Sequence, residues 1–397
     1  MPTPLRYTSD FFARVYFFAG LALSVTLLPT AAFADPGQVY NGTLGRTPIV
    51  VELDTHKPGQ IEGRYYYEKY RKDLGLYGKQ NGASLELFEG TQWRKNDKTP
   101  QWVLQTQGDG WQGEWSGPNG KRYPITLKPV AIQAPKADAE PGWQAIYAKS
   151  PYDYLRVQSL KLTAGKRETF DGHELQWWQE PLSKVSMPEI LSGYPEEERA
   201  RLNRQLREQL WTGVVGYHEC VANTGTGDAD YNQHVTPNLM TPGVVSIGIL
   251  TSYDCGGAHP DVVQDQLNLD AHSGDVLTLE DVLWVGQGKP FHYADGDPRS
   301  NTDFGQWSDY RARTLAPWLT KQLTAIAPKE MDPQNAGEAD CNYADESVWH
   351  FATFRFTDKG LAFEPSFNSP VCGGVDWAVL PYELVAAHPG GHKVQLP

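Results

Sequence analysis

Cys255-Gly256-Gly257-Ala258-His259 sets a thiol, two unrestrained backbone positions and an imidazole within five residues, and His218-Glu219-Cys220 supplies a second thiol and a second imidazole. Three chemistries use such groups. Two cysteines and two histidines can hold zinc in a tetrahedron. A histidine titrating near neutrality beside a carboxylate, here Asp261 or Asp281, can serve as general acid or base, and the glycines would let a ligand approach the backbone closely. Two cysteines in an oxidising compartment can instead join, which makes the glycine pair a stapled turn.

The spacing decides among them. His218, Cys220, Cys255 and His259 follow no familiar zinc pattern, and oxidation outside the cytoplasm competes with thiolate ligation, so no metal is expected. Neither G-x-S-x-G nor H-E-x-x-H occurs, which weakens a hydrolase reading. Asp228-Ala229-Asp230-Tyr231-Asn232 opens like a calcium loop but fails at position six, Gln233, and at position twelve, Leu239. No cofactor is expected. Gly256, Gly257 and His259 are read as a binding turn, with no catalytic residue assigned. The alternative is an enzyme acting on envelope glycans, using His259 with Asp261 or Asp281.

The compartment follows from the amino terminus. Arg6 and Arg14, an apolar run from Val15 to Leu28 and the ending Ala32-Phe33-Ala34 read as a secretory signal peptide over residues 1–34. The run is shorter than the roughly 20 residues a membrane-spanning helix needs, so no stable membrane anchor is expected. Cleavage would leave 33 basic residues (35 less two) and 47 acidic ones (48 less one), a net charge of −14. Such a chain repels nucleic acid and anionic lipid and attracts cationic proteins. Periplasmic or secreted localisation also suits the four cysteines, read as Cys220 with Cys255 and Cys341 with Cys372. The second pair brackets one hairpin; the first brackets a polar loop returning to a strand.

The elements that must hold these groups differ along the chain. Residues 35–130 read as eight short strands separated by Gly, Asn and Asp, an antiparallel meander closed as a barrel or nearly so. A barrel of this kind could also carry a small apolar ligand. Residues 131–150, rich in Pro, Ala and acid, read as a linker. Residues 151–397 mix periods. YLRVQSLKLTAG and HELQWWQEPLSKV read as strands, PEEERARLNRQLREQLW as an amphipathic helix with Leu202, Leu206 and Leu210 spaced by four, and WSDYRARTLAPWLTKQLTAIA as a helix kinked at Pro317. VVSIGILTSYD, VVQDQLNLDAHSG, VWHFATFRFT and GLAFEPSF read as strands. The class is α+β, with helices on an antiparallel sheet. Tyr65-Tyr66-Tyr67 and Trp177-Trp178 must each send neighbouring rings to opposite faces, toward a core or an interface.

TSYDCGGAHPDVVQDQLNLDAHSGDVLTLEDVL (251–283), FRFTDKGLAFEP (354–365) and VLPYELVA (379–386) together resemble the RsiV-like extracytoplasmic C-terminal domain, which is also found attached to the peptidoglycan deacetylase PdaC. The likeness spans roughly residues 150–390 and is strongest after 245. It implies an α+β domain not known as a catalyst, which in the anti-sigma factor RsiV recognises lysozyme. The present chain departs from RsiV: at most 14 residues precede the apolar run, which argues against a sigma-binding segment, and no deacetylase domain is seen. The expectation is an exported cell-envelope protein that binds a cationic protein such as a lysozyme-type muramidase, or a peptidoglycan fragment.

Overall fold

The structure, a computed structural model, describes residues 37–54, 59–90, 98–224, 229–257, 259–335, 341–367 and 372–397. The signal sequence and Asp228 of the calcium-like loop lie outside them. Residues 36–397 form one compact unit.

Eight strands, β1 (Gln38–Leu44), β2 (Thr47–Asp54), β3 (Ile61–Tyr67), β4 (Asp73–Asn81), β5 (Ser84–Glu89), β6 (Gln101–Gln107), β7 (Gly110–Ser116) and β8 (Arg122–Pro129), pair each with the next and close through β1 and β8. The barrel is antiparallel throughout, as expected of short successive strands joined by tight turns. Its interior is filled by side chains, among them Ile49, Val51, Leu85, Trp102, Leu104 and Ile125. Glu89 joins this packing, its Oε1 accepting from Tyr65 Oη at 2.7 Å and from the indole nitrogens of Trp102 and Trp115 at 3.1 and 2.7 Å. Close strand approach demands glycine at Gly78, where a Cβ would fall 2.0 Å from the Glu86 carbonyl oxygen.

The segment expected as a bare linker carries a helix, α1 (Trp143–Lys149), directly followed by α2 (Pro151–Val157). The start of YLRVQSLKLTAG is therefore helical, and its strand, β9 (Thr163–Phe170), begins only later. Ser150 explains the difference: its Oγ accepts from the Asp153 amide and Pro151 occupies the first helical position, a start signal that outweighs the β-prone Tyr and Val.

The remainder is built from three three-stranded antiparallel sheets: β9 with β10 (His173–Gln179) and β11 (Ser186–Ile190); β12 (Asp230–Met240), β13 (Val244–Asp254) and β14 (Asp261–Asp270); and β15 (Thr353–Phe356), β16 (Gly360–Glu364) and β17 (Val379–Pro381). Helix α3 (Glu196–Thr224) supplies Leu202, Leu206, Leu210 and Val214 to a core shared with β10 to β14. A second core joins β15 to β17 to the short α4 (Leu279–Val282), α5 (Phe304–Tyr310), α6 (Ala316–Ile326) and the neighbourhood of α7 (Tyr382–Ala386). The kink expected at Pro317 takes the form of a π-helical turn over Arg311–Leu315, which lets α5 run into α6 although proline lacks an amide donor.

A buried ionic cluster ties barrel to helices. Arg64 donates to Glu52 (2.9 Å) and Asp153 (2.7 Å), while Arg156 pairs with Asp73, which also accepts from Tyr152 Oη at 2.7 Å. Two guanidiniums thus face three carboxylates. Burial accordingly raises the Asp73 and Glu52 carboxyls above their ordinary range, against the pull of the arginines. Tyr65 points into the barrel and Tyr66 outward onto Tyr152, the division of faces that adjacent strand residues require.

Candidate functional site

Cys220, in the last turns of α3, is joined to Cys255 just beyond β13, and Cys341 is joined to Cys372, the pairing expected from the sequence. The first bond pins Cys255, and with it Gly256 and Gly257 just beyond β13, against the end of a 29-residue helix; Ala258 of the Gly-Gly-Ala-His stretch lies outside the described residues. Gly256 has φ +78° and its amide donates to Asp254 Oδ1 at 3.0 Å, so a non-glycine residue would be strained there. Around Gly257 a Cβ would meet nothing within 4 Å, so the second glycine leaves open space beside the backbone.

His259 is exposed, and its Nδ1 lies 2.9 Å from the carbonyl oxygen of Pro260. Asp261, also exposed, accepts from the Val262 amide at 2.8 Å. Asp281 belongs elsewhere: it is buried, and its Oδ2 accepts from the Thr278 amide and hydroxyl at 2.8 and 3.0 Å, capping α4. His259 and Asp281 flank opposite ends of β14, about 30 Å of strand. Among the described residues no hydrogen bond joins His259 to either aspartate. The Cys2His2 grouping does not assemble either, since both thiols are spent in the disulfide and His218 is wholly buried. Burial, together with the guanidiniums of Arg156, Arg64 and Arg71, holds the His218 imidazole well below its ordinary range and therefore neutral.

Charge gathers around the stapled turn in a way the linear sequence conceals. Asp230 on β12 is the direct cross-strand partner of Asp254 on β13, and Asp261 opens β14 opposite Tyr253. Like charges placed opposite one another on a sheet destabilise it, by up to about 1 kcal/mol. Leu250 and Val262, exposed by 39% and 42%, lie near this acidic end of the sheet.

A cleft of about 300 Å³ runs beside α3, walled on the other side by α1 and the start of α2. Glu208, Thr212, Gly216 and Glu219 line it from α3, at spacings that keep them on one helix face. Cα atoms of Glu219 and Gly256 lie within about 12 Å, because the disulfide holds Cys220 and Cys255 at 4.7 Å and each adjacent residue adds about 3.8 Å. The cleft and the turn are therefore neighbours.

His292 is a further group that the sequence reading did not single out. Its Nδ1 faces both oxygens of Asp281 at 2.8 to 2.9 Å and its Nε2 faces Asp297 at 3.2 Å. Asp297 is clamped by Arg299, whose hydrogen bonds hold that carboxyl well below the usual range. Both ring nitrogens are engaged, so the group fastens the loop after α4. The stretch that follows it, YADGDPRSNTD (293–303), is acidic, but its spacing points to no partner.

No protein-family model matches this chain, and no curated protein sequence matches it either.

Proposed function

We propose that the chain is an exported, disulfide-bonded binding protein of the cell envelope, and that the stapled end of the β12–β14 sheet contacts a cationic protein, a lysozyme-type muramidase being the leading candidate. The observation that carries this reading is the opposition of Asp230 and Asp254 beside the exposed Gly257 and His259. A cationic partner would relieve that repulsion, and the excess of acidic over basic residues would steer its approach. Two disulfides fit an oxidising compartment, and among the described residues no helix is long and apolar enough to cross a membrane. The resemblance to the RsiV-like domain points the same way. Its Asn268 motif does structural work here: Nδ2 donates to the Phe354 carbonyl at 2.7 Å and Oδ1 accepts from Ser246 at 2.7 Å, joining β14 to β15.

Hen egg-white lysozyme titrated onto the immobilised protein at low ionic strength tests the reading. Saturable binding that weakens with added salt, and weakens about fivefold or more in Asp230→Asn/Asp254→Asn, is the expected result. Absence of binding up to roughly 50 μM would remove lysozyme as the partner.

A further inference from the structure

The cleft beside α3 pairs two features rarely needed together by a structural gap. Its walls are largely apolar, Ala145 and Ile146 lining it from α1 and Val215 from α3, and its α3 side carries Glu208 at one end and Glu219 at the other, about 16 Å apart along the helix. Gly142 closes the Glu208 end, where a Cβ would fall 3.0 Å from the Glu208 Cα. Glu208 is half-buried, and burial raises its carboxyl above the ordinary range even though Arg204 pulls it down. Asp153 also borders the cleft, but its charge is committed to Arg64 and Arg156. Lys149 is the one basic residue on the rim.

An apolar slot ending in a desolvated carboxylate is complementary to a methylene stem bearing a cationic head. At about 300 Å³ the cleft stands at the lower limit of small-molecule sites, room for one side chain. We infer that it receives a single long cationic side chain, lysine or arginine, presented by the partner protein: the stem lies against Ala145, Ile146 and Val215, and the head pairs with Glu208. Glu219, adjoining the disulfide, draws the chain toward the entrance. This deepens the proposed function and rests on its cationic protein partner, though the cleft's ligand chemistry is testable separately.

The probe is Nα-acetyl-lysine methylamide, with Nα-acetyl-norleucine methylamide as its uncharged counterpart, each titrated into the full protein and followed by NMR. Millimolar binding of the lysine derivative, with shifts confined to α1, the start of α2 and α3 and at least fivefold preference over norleucine, is expected. Glu208→Gln should weaken it about fivefold, and Lys149→Ala should tighten it. Thr212→Phe and Ala145→Phe, both at exposed wall positions, should block it; a thermal melt on each checks that the fold is intact. Equal binding of norleucine, or indifference to Glu208→Gln, overturns the inference. Lysozyme separates this result from the preceding one. If lysozyme binds wild type and Thr212→Phe equally, the cleft inference fails and the binding function stands. If the lysine derivative binds in the cleft but lysozyme does not bind at all, the cleft's ligand chemistry stands and lysozyme falls as the partner.

Discussion

Replacing both Cys220 and Cys255 by serine tests whether the glycine-histidine turn is held by its staple. The bond closes a loop of 35 residues, so its removal frees chain entropy in the unfolded state worth about 4 kcal/mol at 25 °C. Unfolding roughly 360 residues carries an entropy near 0.76 kcal/mol/K, so the melting temperature should fall by about 5 °C. The turn should suffer more than the whole. Without the staple the restraint falls to weaker contacts, among them the Gly256–Asp254 hydrogen bond and the sheet ladder, and the Asp230–Asp254 repulsion then acts to splay the strand ends. Circular dichroism melts give the global loss, and amide hydrogen exchange at residues 252–262 gives the local one. Lysozyme binding should weaken about fivefold or more, chiefly through faster dissociation. A variant that melted within 1 °C of wild type and kept wild-type exchange in the turn would refute the claim that the disulfide is what fixes this segment.

Two further outcomes concern the ion pairs. Arg156→Met leaves Asp73 wholly buried with only Tyr152 and a guanidinium of Arg64 3.6 Å away, and should cost about 3–5 kcal/mol in urea unfolding; adding Asp73→Leu should recover most of that, because the uncompensated carboxylate is then gone. Asp297, whose folded carboxyl lies below its unfolded value, contributes stability that is present above about pH 4 and is lost as pH falls below that through the folded value. Asp297→Asn should therefore lower stability at neutral pH and flatten the acid limb of a pH–stability curve, and a limb as steep as wild type would contradict the Arg299 clamp.

The barrel was legible because its strands are short runs separated by Gly, Asn and Asp residues suited to turns, and all eight expected strands appear. Helix α3 was legible only in its first half. Beyond Trp211 the run Thr-Gly-Val-Val-Gly lowers local helix propensity, yet the helix continues to Thr224 because Val214, Tyr217 and Val221 bury there and Gly213 permits Val185 and Gln233 to approach to about 3 Å of its would-be Cβ. The disulfides followed from compartment and spacing. The cleft, the Asp230–Asp254 opposition and the His292–Asp281 pairing were not legible, since each depends on residues that only the fold brings together: 11 positions apart for His292 and Asp281, 24 for the two aspartates, and more than 50 across the cleft.

The histidines bear on why a contact surface is preferred over a catalytic dyad. General-base work needs an imidazole with one nitrogen free to accept a proton and the other held by an orienting group. His292 has the orienting carboxylate, Asp281, but its second nitrogen already faces Asp297. His218 is wholly buried, and among the described residues neither of its nitrogens has a hydrogen-bond partner to orient the ring. His259 is the reverse case, open to solvent with its Nδ1 against a backbone carbonyl and, among the described residues, no hydrogen bond to a carboxylate. Asp281, the residue that would complete the dyad, holds the Thr278 cap and His292 at once, so drawing it toward His259 would break both and cross the length of β14. An exposed ring beside two glycines, one of them with empty space around its backbone, can still meet a partner's surface without any of these rearrangements, and that is the role its surroundings support.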